Sequence, residues 1–347
     1  MTKERMSGHV DDALQVALVD QLTIDAPALR RSSLVDRQGR TFPDFRRSLT
    51  PRYRIVWFHI AIGWLMVAST ATALVIGEDH MVGELVGQLA LIVVGAVAIG
   101  FWLHFLLLFQ HEGSHYNLAA NRSMNDWLTN AAVGIFVGED VRNYRKVHLD
   151  HHRYLGTQRD TEHSYFEPLD VRFFLRSLSG LRMFRVIAAR WATIEHTTDG
   201  VDVARPSHLT PVFLIAMTFN GAIVLIGALT DHWVFSVSWI LASLMVLPLL
   251  ISVRQLLEHR SESADPTVDY TKFPHGAVNR LFGVGPLAST LGAAGFNRHL
   301  LHHWDAGVSY TRLGELERFL LDTEFGSALR QRQTTYVSTL WTLAFRD

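Results

Sequence analysis

The chain has 347 residues, 48% of them hydrophobic and only 19% charged, with a formal net charge of −1. That balance gives no global attraction to nucleic acid. Cysteine is absent, which excludes disulfides, cysteine–zinc sites, cysteine-ligated iron–sulfur clusters and a catalytic thiol, whereas histidine is abundant at 18.

Residues 1–54 are polar, with Lys and Arg spread through them and no apolar core of a signal peptide. Two apolar runs follow, 55–77 with only His59 ionisable and 85–109 with only His104. The second leads into His111-Glu112-Gly113-Ser114-His115. Residues 127–138 are apolar but too short to cross a bilayer, so a re-entrant, interfacial or buried placement stays open. His148-Leu149-Asp150-His151-His152 comes next, then a stretch containing His163 with no assigned role. Residues 173–192 mix apolar side chains with Arg176, Arg182, Arg185 and Arg190, as a helix at the membrane surface or an ordinary solvated helix would. Two uncharged apolar runs, 211–230 and 233–253, precede Arg254-Gln255-Leu256-Leu257-Glu258-His259-Arg260, and His299-Leu300-Leu301-His302-His303 closes the series.

About 20 apolar residues cross the ~30 Å of bilayer hydrocarbon, so each of the four long runs is a candidate span. The Lys and Arg then set an orientation. Ten lie in 1–54, twelve in 110–210 and ten in 254–347, which together make all 32. The two short connections, 78–84 and 231–232, carry Glu78, Asp79, Glu84 and Asp231 instead. The positive-inside rule places both termini and the middle block in the cytoplasm. The predicted fold is an all-α integral membrane protein, with four transmembrane helices in two hairpins and a cytoplasmic helical cap that carries the histidines. Its regions are a cytoplasmic segment 1–54, a membrane domain 55–310 with the metal site, and a cytoplasmic segment 311–347.

Each H-x-x-H-H puts its first histidine on one helical face with the residues three and four further on, a chelating geometry. The clusters supply His111, His115, His148, His151, His152, His299, His302 and His303, and His259 is a ninth candidate at the exit of the fourth span. A catalytic zinc takes three protein ligands and keeps one position open, so eight histidines exceed it; two metals with about four imidazoles each would use them. Imidazole suits iron, zinc, copper and nickel alike. Gln255 shares a helix face with His259 and is a candidate to hold a metal-bound water. Acids that can accept from the far nitrogen of a ligating histidine are Glu112, Asp150, Asp160, Glu258 and Asp305.

The three boxes, HEGSH, HLDHH and HLLHH, in this order against the spans, resemble the membrane fatty acid desaturase and hydroxylase superfamily. The resemblance takes in NRSMNDW at 121–127 and covers roughly 55–310. It implies a non-haem pair of iron ions on the cytoplasmic face, O2 as co-substrate, and oxidation of an unactivated C–H bond in a lipid or fatty acyl substrate. The family's box histidines fall on the eight named above, His259 matches an additional histidine some members carry, and Gln255 is a looser match to a water-bearing Asn. No fused cytochrome b5 domain is visible, so electrons would come from a separate ferredoxin, rubredoxin or cytochrome. The location implied is an integral membrane one, the inner or plasma membrane in a bacterium.

Two other readings compete. HEGSH alone fits H-E-x-x-H, the motif of an intramembrane zinc protease with Glu112 as base. Such a site needs a third ligand, commonly an acid in a later span, and the third and fourth spans hold no Asp or Glu. A metal transporter or sensor would call for ionisable residues inside several spans, which are nearly free of them.

Overall fold

The computed structural model of the protein describes residues 31–157, 159–162, 164–181, 210–270 and 277–345. His163, Arg182, Arg185 and Arg190 lie outside them. Among the described residues no strand forms, and pairing is limited to the isolated bridges Val35–Thr41 and Leu281–Gln333. The helices, in chain order, begin with Phe42–Ser48 (α1), Tyr53–His80 (α2), Leu85–Ser114 (α3), Arg122–Thr129 (α4), Val141–Tyr154 (α5) and Val171–Leu178 (α6). Pro211–Leu229 (α7) and Trp233–His259 (α8) follow. Pro286–Leu291 (α9), His299–Trp304 (α10), Tyr310–Leu321 (α11), Gly326–Gln331 (α12) and Tyr336–Phe345 (α13) come after them, with shorter helical turns between.

Helices α2, α3, α7 and α8 are each long and apolar enough to cross a membrane. All but α7 overrun the apolar runs that announce them. The second continues past 109 to Ser114 and the fourth past 253 to His259. Apolarity ends where a bilayer would end, but the helical hydrogen-bond ladder needs only continued helical backbone. The extra turns carry His111 and His259.

The chain divides into two compact units. The first comprises 53–148 and 171–254 and holds the spans up to Arg254 in α8. Small residues let its helices approach closely, since packing rather than the hydrophobic effect holds helices together in lipid. A Cβ on Gly63 would lie 2.6 Å from Leu106, and one on Gly95 2.6 Å from Leu74. The short apolar stretch after α4 is packed inside this unit. Trp64 Nε1–H donates to Ala132 O at 3.0 Å, and Asn220 Nδ2–H to Phe136 O at 3.0 Å. Glu78, 4% exposed, accepts the Val234 N–H at 3.0 Å and so caps the start of α8, where a carboxylate is favoured by the helix dipole. The aromatic run Phe101, Trp102, Phe105 and Phe109 packs on itself in successive tilted and edge contacts of 5.2–5.6 Å.

The second unit gathers 31–52, 149–170 and 255–345. Its core is built from Phe42, Phe45, Leu300, Leu301, Trp304, Leu316 and Phe319 among others. Phe45 stacks on Phe319 at 4.4 Å, and Phe42 meets Trp304 edge-on at 4.9 Å. Trp304 is thus a packing residue, 5% exposed.

Candidate metal centre

The last box shows how the fold presents its histidines. In α10, Leu300, Leu301 and Trp304 are driven into the second unit's core. With helical spacing this turns His299, His302 and His303 to another face. Arg298, just before the box, pairs with Glu317 at 2.7 Å, and Asp305, just after it, with Arg46 at 2.7 Å. Both ends of the short helix are therefore tied to its neighbours.

Four imidazoles of this unit converge: His151, His259, His299 and His303, with one nitrogen from each lying within 4.8 Å of all the others. His299 Nε2 is 3.0 Å from His259 Nε2 and 3.1 Å from His303 Nε2. One ring nitrogen has at most a single proton to share. Three nitrogens closing on each other therefore suit a shared cation better than a chain of hydrogen bonds. In the same unit His152 Nε2 approaches His302 Nε2 at 3.0 Å. In the membrane unit His115 Nε2 lies 2.9 Å from His148 Nε2, and the His111 ring centroid is 4.4 Å from that of His148. The donor chemistry fits a metal held by neutral imidazoles.

Acids stand behind these rings. Asp160, 1% exposed, takes His151 Nδ1 on Oδ1 at 2.8 Å. It also accepts the Glu162 N–H at 2.8 Å, the Gly156 N–H at 3.2 Å and the Tyr165 hydroxyl. Glu162 Oε2 sits 4.0 Å from His151 Nε2, and Glu258 Oε2 3.8 Å from His299 Nε2. Glu112 Oε1 lies 3.8 Å from His111 Nδ1. Asp150 is only half-buried and meets no histidine nitrogen among the described residues. Gln255 is buried one turn before His259 on α8.

The electrostatics differ from ring to ring. Burial, followed by the neighbouring histidines, pushes His303 well below its ordinary range. Burial and then the Arg145 charge bring His115 down to about 4. His151 goes the other way: burial alone would lower it, but Asp160, Glu162 and Glu258 raise it to about 9. Ligation requires the neutral imidazole. His115 and His303 are already held in that form, whereas His151 must first release a proton.

Gly113, inside the first box, has a packing role that the metal motif does not reveal. A Cβ there would collide with Thr129 Oγ1 and lie 2.5 Å from its Cγ2. Thr129 is β-branched and its hydroxyl donates to Asn125 O at 2.7 Å, so it cannot swing away. Gly113→Ala is expected to cost about 1–3 kcal/mol. Thermal unfolding in detergent should show a lower midpoint, and an unchanged midpoint would refute the close approach.

A family model described as fatty acid desaturase matches residues 88–334. The chain belongs to the fatty acid desaturase family. No individual curated protein matches it significantly. Family membership and the four spans together mark an integral membrane protein, and an oxidoreductase of the kind that desaturates or hydroxylates lipid chains. Within this desaturase-family chain, sequence reasoning overlooked Glu162 and Tyr165, which share the Asp160 network. Nothing local signals them: Asp160 reaches His151 only because the chain turns back at Gly156, whose φ is +74°.

Proposed function

We propose that the protein oxidises an unactivated C–H bond of a lipid or fatty acyl chain, by desaturation or hydroxylation, at a histidine-held pair of iron ions. The observation that carries this reading is the convergent set His151, His259, His299 and His303, the first three of them buried, in a chain of the desaturase family. These four hold one iron. The second iron falls to the other box histidines, of which His111, His115 and His148 come together in the membrane unit. Bound iron would supply activation of O2, with electrons drawn from a separate ferredoxin, rubredoxin or cytochrome.

The chain's own residues supply the setting. Asp160 fixes the ring of His151 through Nδ1 and leaves Nε2 for the metal. Asp160, Glu162 and Glu258 bring buried negative charge to the quartet and offset that of a divalent ion. Gln255, on the His259 helix, holds a water at the metal. The spans form two hairpins that cross and return, so the termini and the histidines face the cytoplasm, with Arg and Lys on that side. The substrate chain lies among the spans.

Purified protein should contain about two irons and consume NAD(P)H in an O2-dependent way when a suitable carrier is supplied. His151→Ala should abolish turnover while the protein still inserts in membranes. A single zinc with peptide cleavage would sink the oxygenase reading and revive the protease one. Lipid profiles of a host with and without the gene identify the substrate.

A further inference from the structure

Arg145 is not among the histidine ligands proposed above, yet its guanidinium holds the helix end on which two of them ride. Helix α3 stops inside the first box. Asn117 N–H donates to Glu112 O at 3.0 Å and Tyr116 N–H to Gly113 O at 3.1 Å, the paired closing bonds of a Schellman stop. That stop needs a left-handed residue after the cap, for which glycine is usual. Here the residue is Tyr116, at φ 61°. A residue with a side chain pays roughly 1–2 kcal/mol there. Arg145 lies 3.9 Å above the Tyr116 ring, with Arg122 4.8 Å from it, and these cation–π contacts offset the strain.

The same guanidinium caps the helix. Its Nε donates to Ser114 O at 2.7 Å and its Nη2 to Gly113 O at 3.1 Å, two carbonyls of the helix's last turn, the second of which also closes the Schellman stop. Asp126 grips the fork at 2.5 and 3.3 Å. Asn125 adds bonds to Gly113 O at 2.8 Å and to Asp126 at 3.1 Å. Burial pushes the Asp126 carboxyl up, but the bonds from Arg145 and Asn125 outweigh it and hold the group ionised below its usual range. Arg145 itself belongs to α5, three residues before His148. One side chain thus connects the end of the helix bearing His111 and His115 to the helix bearing His148.

We propose that Arg145, anchored by Asp126, is a positioning residue that sets His115 against His148 for metal binding. The proposal rests on the metal-binding reading given above. Lysine cannot replace it: an ammonium keeps the charge but lacks the planar fork that reaches two carbonyls and a carboxylate together.

Full-length protein in detergent tests this with Arg145→Lys, Arg145→Ala and Asp126→Asn, loaded with Fe(II) and titrated separately with Co(II). Arg145→Lys should retain about one metal per chain instead of two, or bind one of the two about 10–100-fold more weakly, with helical content unchanged. A second readout needs no metal. The chain has no cysteine, so Ala120→Cys and Lys146→Cys, both at exposed positions, accept spin labels. Their distance distribution in metal-free protein should be narrow in the parent and broad in Arg145→Lys. A parent that binds no metal defeats the metal reading, and the distances alone then decide the clamp. Two tightly bound metals with unchanged distances overturn the proposal. Loss of both metals together overturns it too, since that marks a general structural role. Should Arg145→Ala fail to fold, the lysine variant carries the test.

Discussion

Replacing Asp160 with asparagine is expected to weaken metal binding by His151, His259, His299 and His303 about 10–100-fold, the usual consequence of losing the partner that orients a ligating histidine. Asp160 accepts from His151 Nδ1, Glu162 N–H, Gly156 N–H and the Tyr165 hydroxyl, all in a site closed to water. A carboxylate has acceptor sites for four donors, whereas an amide turns one of its ends into a donor. Asparagine therefore sets its NH2 against groups that also donate. In the metal-free protein the same substitution should remove a pH dependence. His151 is raised to about 9, above its ordinary 6.5, by charges of which Asp160 is the foremost. A histidine shifted upward in the fold stabilises it fully below its unfolded value, and loses that contribution as pH rises through the folded value. A shift of this size is worth on the order of 3 kcal/mol. Metal-free protein should thus grow less stable between about pH 6.5 and about 9, and Asp160→Asn should flatten that decline. Equal slopes in parent and variant would show that Asp160 does not hold the proton.

The features legible in the sequence are those set by local spacing. Apolar runs of bilayer length locate all four spans. The i, i+3, i+4 spacing of HLLHH, beside Leu300, Leu301 and Trp304 on the other face, already separates the histidine face from the core-facing positions. Less legible were contacts set by chain reversal. Asp150 and Asp160 look alike as candidates, and adjacency to His151 favours Asp150. The turn at Gly156 instead brings Asp160 onto His151, while Asp150 stays half-buried. Glu112 reads as a catalytic base when HEGSH is taken alone, yet it sits 1% exposed beside His111, with its carbonyl receiving Asn117 N–H at the helix stop. Arg145 looks like an ordinary surface charge three residues ahead of a box, and only the fold shows that its side chain is 11% exposed and spent on backbone carbonyls.

His259→Ala is expected to remove about one metal per chain and nearly all turnover, although His259 belongs to none of the three boxes. Its Nε2 is 3.0 Å from His299 Nε2, and its ring centroid lies 4.8 Å from that of His151 and 5.0 Å from that of His303. The backbone around it is held independently of the ring. His259 O accepts Val278 N–H at 3.0 Å, and Arg280 donates to Leu257 O at 2.9 Å and Arg260 O at 2.6 Å. Buried Arg260 in turn donates to Tyr165 O at 3.0 Å. Truncation at Cβ therefore leaves the chain in place and deletes one nitrogen donor from a set of four. The cavity left is about the size of an imidazole, so added imidazole should enter and restore metal content together with activity. A misfolded variant would not respond to it, and His80→Ala, at an exposed position on α2, should keep both metals throughout. Full metal content in His259→Ala without added imidazole would remove His259 from the ligand set and leave only three histidines, His151, His299 and His303, to hold that ion.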